Sequence, residues 1–160
     1  KDKELLEKNV ELLFLGALLH DIGTFSKRHK PHNKIGAKII LDNKIDGLDN
    51  TQNLVVANIV RFHRGKIPKS GKQKIFRKLD KDAQKTAKIF SSIVRVADAL
   101  DCGHCSFCEN IHLTYDNLFR ALTITLNSNI ILNVGFYEVF EKKKKFFEKI
   151  FKVKLSAKTR

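Results

Sequence analysis

Apolar residues near the start recur at helical spacing. Leu5, Leu6, Val10, Leu13, Ala17 and Leu18 share one side of a predicted helix, and the pattern stops at Gly23. Residues 24–31 (TFSKRHKP) are polar and basic, a loop that ends in Pro31. A second helix follows, with Ile35, Ile39 and Ile40 on one side, and turn residues dominate from Asp42 to Asn50. Thr51 is the expected N-cap of a third helix through Phe62, in which Val55, Ile59 and Phe62 fall at i, i+4 and i+7. A basic loop containing Pro68 runs from Arg64 to Gly71. Asp80 or Asp82 then caps a long fourth helix whose stripe is Ile89, Ile93, Val96 and Leu100.

After Cys108 the period changes. Ile111, Leu113 and Tyr115 alternate, as do Leu122, Ile124 and Leu126, which predicts two strands joined through a Tyr-Asp-Asn turn. Residues 128–134 (SNIILNV) can add a third strand. A last helix from about Gly135 carries Phe136, Phe140, Phe147 and Phe151, and Val153 to Leu155 reads as a closing strand. The pattern therefore predicts a mainly α fold: a helical bundle over residues 1–108, then a small α/β subdomain with a lysine-rich helix over residues 109–160. There is no internal repeat.

Composition narrows the class. Hydrophobic residues make up 42% of the 160, a globular value. No apolar run approaches the roughly 20 residues that span a bilayer. Lys1 to Lys8 is charged and lacks the apolar stretch of a signal peptide. The expectation is a cytoplasmic protein with no membrane partner. Charge is segregated: residues 61–88 hold eleven Lys or Arg against Asp80 and Asp82, and the last twenty residues hold nine against Glu141 and Glu148. Against a total of +14, the rest of the chain is slightly acidic. Such patches attract polyanions, although a solvated face is the plainer use of the same charge.

His20-Asp21 sits where an apolar helix ends, before Ile22-Gly23. An imidazole nitrogen beside a carboxylate, on a backbone stiffened by packed neighbours, is what a divalent ion needs. Asp98 lies within SSIVRVADALD, a largely apolar run, where a buried carboxylate requires a metal, an Arg or hydrogen bonds. His32 begins the second helix, and His63 follows Val56 and Val60 at helical spacing. Four helices can thus bring His20, Asp21, His32, His63 and Asp98 to one point. A mixed His and Asp set suits manganese, iron, nickel, cobalt or zinc, and suits calcium poorly. Each residue also has a simpler use: a lone His at a helix end is commonly a cap or surface residue, and Asp98 can pair with Arg95 at i−3.

The segments ALLHDIG, HNKIGAKII, IVRFHRGKIP and IVRVADALDCGH follow the motif order of HD-domain phosphohydrolases. The sequence resembles most closely the helical C-terminal half of the exopolyphosphatase/guanosine pentaphosphate phosphatase family, over roughly residues 5–156. The tail EKKKKFFEKIFKVKL is similar to that family's lysine-rich helix and closing strand. The resemblance implies an HD-type helical bundle and a hydrolase holding one or two divalent transition metals. It assigns His20, Asp21 and Asp98 to the metal, and His32 and His63 to the extra histidines that hold a second ion. Asp21 and His63 become the catalytic candidates. Arg64, Lys66, Arg95, Asp101 and His104 match polar positions that would bind phosphate. Two features depart from the family. No His precedes His20 in these residues, where HD proteins have a further ligand. The family's N-terminal pair of actin-like domains is also absent from them, so the chain looks like the C-terminal half alone.

Two functions follow. In one, the chain hydrolyses phosphoester or phosphoanhydride bonds of polyphosphate or a guanosine polyphosphate. In the other, it is a regulatory module with a vestigial HD site that binds polyphosphate or nucleotide for an actin-like phosphatase partner or a missing N-terminal half. Either reading admits a homodimer. Nucleic-acid binding through Lys142 to Lys145 and Lys149 is a third reading, but Phe146, Phe147 and Phe151 on that helix have the spacing of core contacts. Cys102, Cys105 and Cys108 form CxxCxxC, with His104 inside and His112 nearby. That spacing can ligate zinc or an iron–sulfur cluster given a fourth ligand, but no fourth Cys exists, and free thiols are the default.

Overall fold

The computed structural model describes residues 2–25, 31–68, 73–101, 110–127 and 134–160. Its elements are α1 (Asp2–Lys8), α2 (Val10–Leu18), α3 (His32–Asn43), α4 (Asn50–Phe62), α5 (Lys74–Arg77), α6 (Lys81–Leu100), β1 (Asn110–Asp116), β2 (Ala121–Asn127), α7 (Val134–Phe151) and β3 (Lys154–Thr159). The fold is mainly α with a C-terminal α/β part, as the periodicity predicts. Backbone packing divides it into two compact units, Lys1–Val94 and Arg95–Arg160, so the division falls inside α6.

In the first unit α4 is the central element. Val55, Val56, Ala57, Ile59, Val60 and Phe62 are all buried, together with Asn53, Asn58 and His63. A helix buried on nearly every side must be packed from several directions, and α2 and α3 both lie against α4. Its N-cap is Asp49 rather than Thr51. The Asp49 carboxylate accepts from the Gln52 amide at 2.8 Å, while the Gln52 side chain accepts from the Asp49 amide at 2.9 Å. This reciprocal capping box satisfies two amide donors at once, which a Thr51 hydroxyl alone would not do.

The predicted first helix is broken into α1 and α2 at Asn9. Its side-chain amide donates to the Leu5 carbonyl at 2.7 Å, and its backbone leaves the helical region. An asparagine that bonds its own preceding turn competes with the helix ladder, a cost that apolar spacing does not register. Asp80, the alternative named first for α6, caps it: its carboxylate accepts from the Ala83 amide at 2.8 Å. The four-residue α5 lies beyond the basic loop, where the sequence pattern predicts no element, and is held by the buried Phe76, whose ring meets Phe62 edge-on.

The second unit is a three-stranded sheet in the order β1-β2-β3, with β1 antiparallel to β2 and β2 parallel to β3 across α7. Its core joins Val96 and Ala99 of α6 to Ile124, Leu126, Phe136, Phe140 and Leu155. Asp116 accepts from the Phe119 amide at 3.0 Å in the β1–β2 turn. β3 begins at Lys154 and runs to Thr159, farther than its apolar residues suggest. Phe146 is buried, Phe147 and Phe151 touch, and Lys144 is bound to Glu141 and the Leu155 carbonyl, so this part of α7 serves the core. The expected strand at 128–134 falls almost wholly outside the described residues, as do Cys102, Cys105, Cys108 and His104. No helix among the described residues is long and apolar enough to cross a membrane.

Candidate metal centre

Three element ends build the site. α2 stops at Leu18, and the chain turns with the Ile22 amide bonded to the Leu19 carbonyl. The Asp21 carbonyl accepts from both the Thr24 amide, at 2.9 Å, and the Thr24 hydroxyl, at 2.8 Å. That double bond fixes the turn presenting His20 and Asp21. Gly23 lets it settle onto α3: a Cβ there would lie 2.1 Å from the His32 carbonyl oxygen and 2.6 Å from the Gly36 nitrogen. Both neighbours are backbone, which cannot swing away.

His32 opens α3, and His63 closes α4 with its amide on the Ile59 carbonyl. Gly65, at φ +74°, takes the left-handed conformation that turns the chain out of α4 without a Cβ penalty. Asn33, buried beside His32, donates to the Arg61 carbonyl at 2.7 Å and the Arg64 carbonyl at 3.1 Å. Carbonyls at a helix C-terminus lack partners within the helix, and Asn33 supplies them while tying the two histidine-bearing segments together.

The polar tips converge. One Asp21 oxygen lies 3.3 Å from His32 Nε2 and 3.7 Å from His63 Nε2; the other lies 3.5 Å from His20 Nε2. His32 Nε2 and His63 Nε2 are 3.2 Å apart. The donor atoms of Asp21, His32 and His63 all lie within 4.8 Å of one another. The His63 ring stacks with His32 and meets His20 edge-on. His63 is fully buried, whereas the Asp21 side chain is 33% exposed, so the cluster has a closed back and an open front.

The histidine tautomers follow from their other bonds. His20 Nδ1 lies 2.7 Å from the Ala17 carbonyl, and His63 Nδ1 lies 2.7 Å from the Val60 carbonyl. A carbonyl only accepts, so each Nδ1 carries a hydrogen, and in its neutral form each ring turns an Nε2 lone pair toward Asp21. The one Nε2 proton that His32 can hold cannot serve His63 and Asp21 together, and it opposes the Arg64 guanidinium 3.4 Å away. In that form the lone pairs and the carboxylate face one another, an arrangement that a cation between them would satisfy. Imidazoles held through Nδ1–H to carbonyls are the arrangement found behind metal-ligating histidines. Ligand atoms about 2.1 Å from a shared ion lie roughly 3.0–3.4 Å apart, close to the separations here. The residues therefore fit a divalent transition metal.

The remaining sequence candidates are distributed as follows. Arg64 is exposed beside His32, and Lys66 is exposed after Gly65. Asp98, Arg95 and Asp101 belong to the second unit. There Asp98 is ion-paired with Lys143 of α7, both side chains being largely buried. Arg95 is buried with its guanidinium over the Phe146 ring; burial lowers its pKa and the neighbouring Asp98 charge opposes that shift. Asp101 is exposed at the end of α6. Sequence reasoning did not find Asn33, took Gly23 only as the end of a helix, and took Lys143 only as part of a lysine-rich run. The first two adjoin recognised motifs, HN and HDIG; Lys143 is one of four consecutive lysines with nothing local to single it out.

The HD-domain family model matches residues 1–103, which include the whole cluster. No curated protein matches the chain. With nearly two thirds of its length matched, the chain belongs to the HD-domain family, whose members are generally metal-dependent phosphohydrolases.

Proposed function

We propose that the chain is an HD-type phosphohydrolase related to the C-terminal half of exopolyphosphatase/guanosine pentaphosphate phosphatase, acting on polyphosphate or a guanosine polyphosphate. The observation that carries this reading is the convergence of Asp21, His32 and His63, with His20 alongside, on a point bordered by Arg64. In the proposal His20, Asp21, His32 and His63 hold one or two ions of manganese, iron, nickel, cobalt or zinc. Such an ion, when bound, acidifies a water and withdraws charge from a phosphoryl oxygen.

The chain's own groups supply the rest. Nδ1 bonds to Ala17 and Val60 hold the His20 and His63 rings so that no reorientation accompanies the reaction. The Asp21 carboxylate takes up the proton released by the attacking water, and His63 fixes its position from the buried side. Arg64 and Lys66 balance charge on the phosphoryl oxygens. Arg95, Asp101 and His104 remain candidates for substrate contact. The basic run over residues 61–88 starts beside His63 and favours a multiply charged substrate.

The second reading is a regulatory module that binds polyphosphate or nucleotide without turnover, for an actin-like phosphatase partner. The Asp98–Lys143 pair favours it, because a carboxylate neutralised by lysine is a weaker metal ligand. Phosphate release from polyphosphate and from guanosine tetraphosphate, measured with added manganese, nickel or cobalt, separates the two. Turnover lost in Asp21→Asn supports hydrolysis. Tight polyphosphate binding without turnover under any metal supports the module.

A further inference from the structure

The outer edge of the sheet carries a conspicuous strand. Every residue of β1 is exposed, although its sequence alternates as a half-buried strand does. Ile111, Leu113 and Tyr115 stand opposite Leu126, Ile124 and Leu122 of β2 and therefore share their face. Ile124 and Leu126 are buried against Phe136 and Phe140, while Ile111, Leu113 and Tyr115 remain 53%, 59% and 48% exposed. The apolar face thus continues one strand beyond the helix that covers it.

The two edges of this sheet differ in charge. β3 carries Lys154 and Lys158, the residues by which proteins discourage edge-to-edge pairing. β1, NIHLTYD, holds none of the chain's 31 Lys and Arg residues and no proline. In a molecule of net charge +14, a seven-residue edge strand without Lys or Arg sets no such cations of one copy against those of another.

β1 is also complementary to itself. Paired antiparallel with an identical strand about Leu113, it sets Leu113 opposite Leu113, Ile111 opposite Tyr115, His112 opposite Thr114 and Asn110 opposite Asp116. Apolar residues meet on one face and polar residues on the other, with no like charges opposed. A shift of one residue would place apolar against polar positions along the strand, and a shift of two would leave fewer of the seven residues paired, so the register about Leu113 matches the most positions. We propose that β1 is the seam of a homodimer, in which two three-stranded sheets join through antiparallel β1–β1 pairing into one six-stranded sheet with a continuous apolar face.

Sedimentation velocity on the intact protein in high salt tests this. The expected mass is twice the 18.3 kDa of one chain, unchanged or increased in proportion as salt rises. Leu113→Lys sets two like charges at the twofold axis and should give a monomer with an unaltered circular dichroism spectrum, since Leu113 is outside the core. Mixing Leu113→Lys with Leu113→Glu should restore the dimer, which neither variant forms alone. A monomer across the micromolar range, a dimer that survives Leu113→Lys, or an assembly dissolved by salt as a polyanion-bridged one would be, each overturns the proposal.

Discussion

His32 and His63 present Nε2 atoms to each other 3.2 Å apart, from the first residue of one helix and the C-cap of another, two residues before the left-handed Gly65. With His63 Nδ1 committed to the Val60 carbonyl, a shared cation would reconcile this pairing with Asp21. His63→Gln should therefore weaken metal binding by more than the 10- to 100-fold that follows loss of a group behind the ligands, roughly 100-fold or beyond. Isothermal titration of manganese or nickel into chelator-treated protein reads this directly. Unchanged affinity would remove His63 from the site.

Gly23→Ala should destabilise the protein and loosen the site together. Its methyl group would meet the His32 carbonyl at 2.1 Å, so α3 must shift, at a cost of about 1–3 kcal/mol. Thermal unfolding of the metal-free variant isolates the packing cost, and metal titration then shows whether Asp21 and His32 have separated.

Asn33→Leu keeps the side-chain volume and removes both bonds to the Arg61 and Arg64 carbonyls. Leaving part-buried acceptors without partners costs up to about 1–3 kcal/mol, so the variant should unfold at lower denaturant concentration than wild type. His63 precedes one of those carbonyls, and metal affinity should fall with stability. A variant equal to wild type in both measurements would show that Asn33 does not position the cluster.

Lys143→Met should cost about 3–5 kcal/mol, because it leaves the largely buried Asp98 carboxylate without its lysine. Adding Asp98→Leu to it should recover most of that loss. Chemical denaturation of the two single variants and the double variant yields the coupling. Additive effects would mean that the pair contributes nothing to the fold.

His20, Asp21, His32 and His63 were legible in the sequence because each falls at the boundary of an apolar helical pattern, where side chains from different helices can meet. α4 and β2 were legible for the same reason, since burial imposes periodicity. The stripe expected of the first helix, however, leaves Val10 and Leu18 in solvent while Leu12 and Gly16 are buried, and β1 alternates although all of it is exposed. Features set by a single hydrogen bond were not legible. Asn9 breaks the first helix through Leu5, and Asp49 displaces Thr51 as a cap through Gln52. Asn33 and Lys143 act on partners 28 and 45 residues away, so no local pattern marks them.

Metal content of the purified protein, by inductively coupled plasma mass spectrometry against Asp21→Asn prepared in parallel, reads whether the Asp21–His32–His63 cluster holds an ion. The geometry predicts close to one or two divalent transition ions per wild-type chain and a marked loss in the variant. Wild-type protein that takes up no ion when supplied with manganese, iron, nickel, cobalt and zinc, or an Asp21→Asn variant that retains its metal in full, would contradict it.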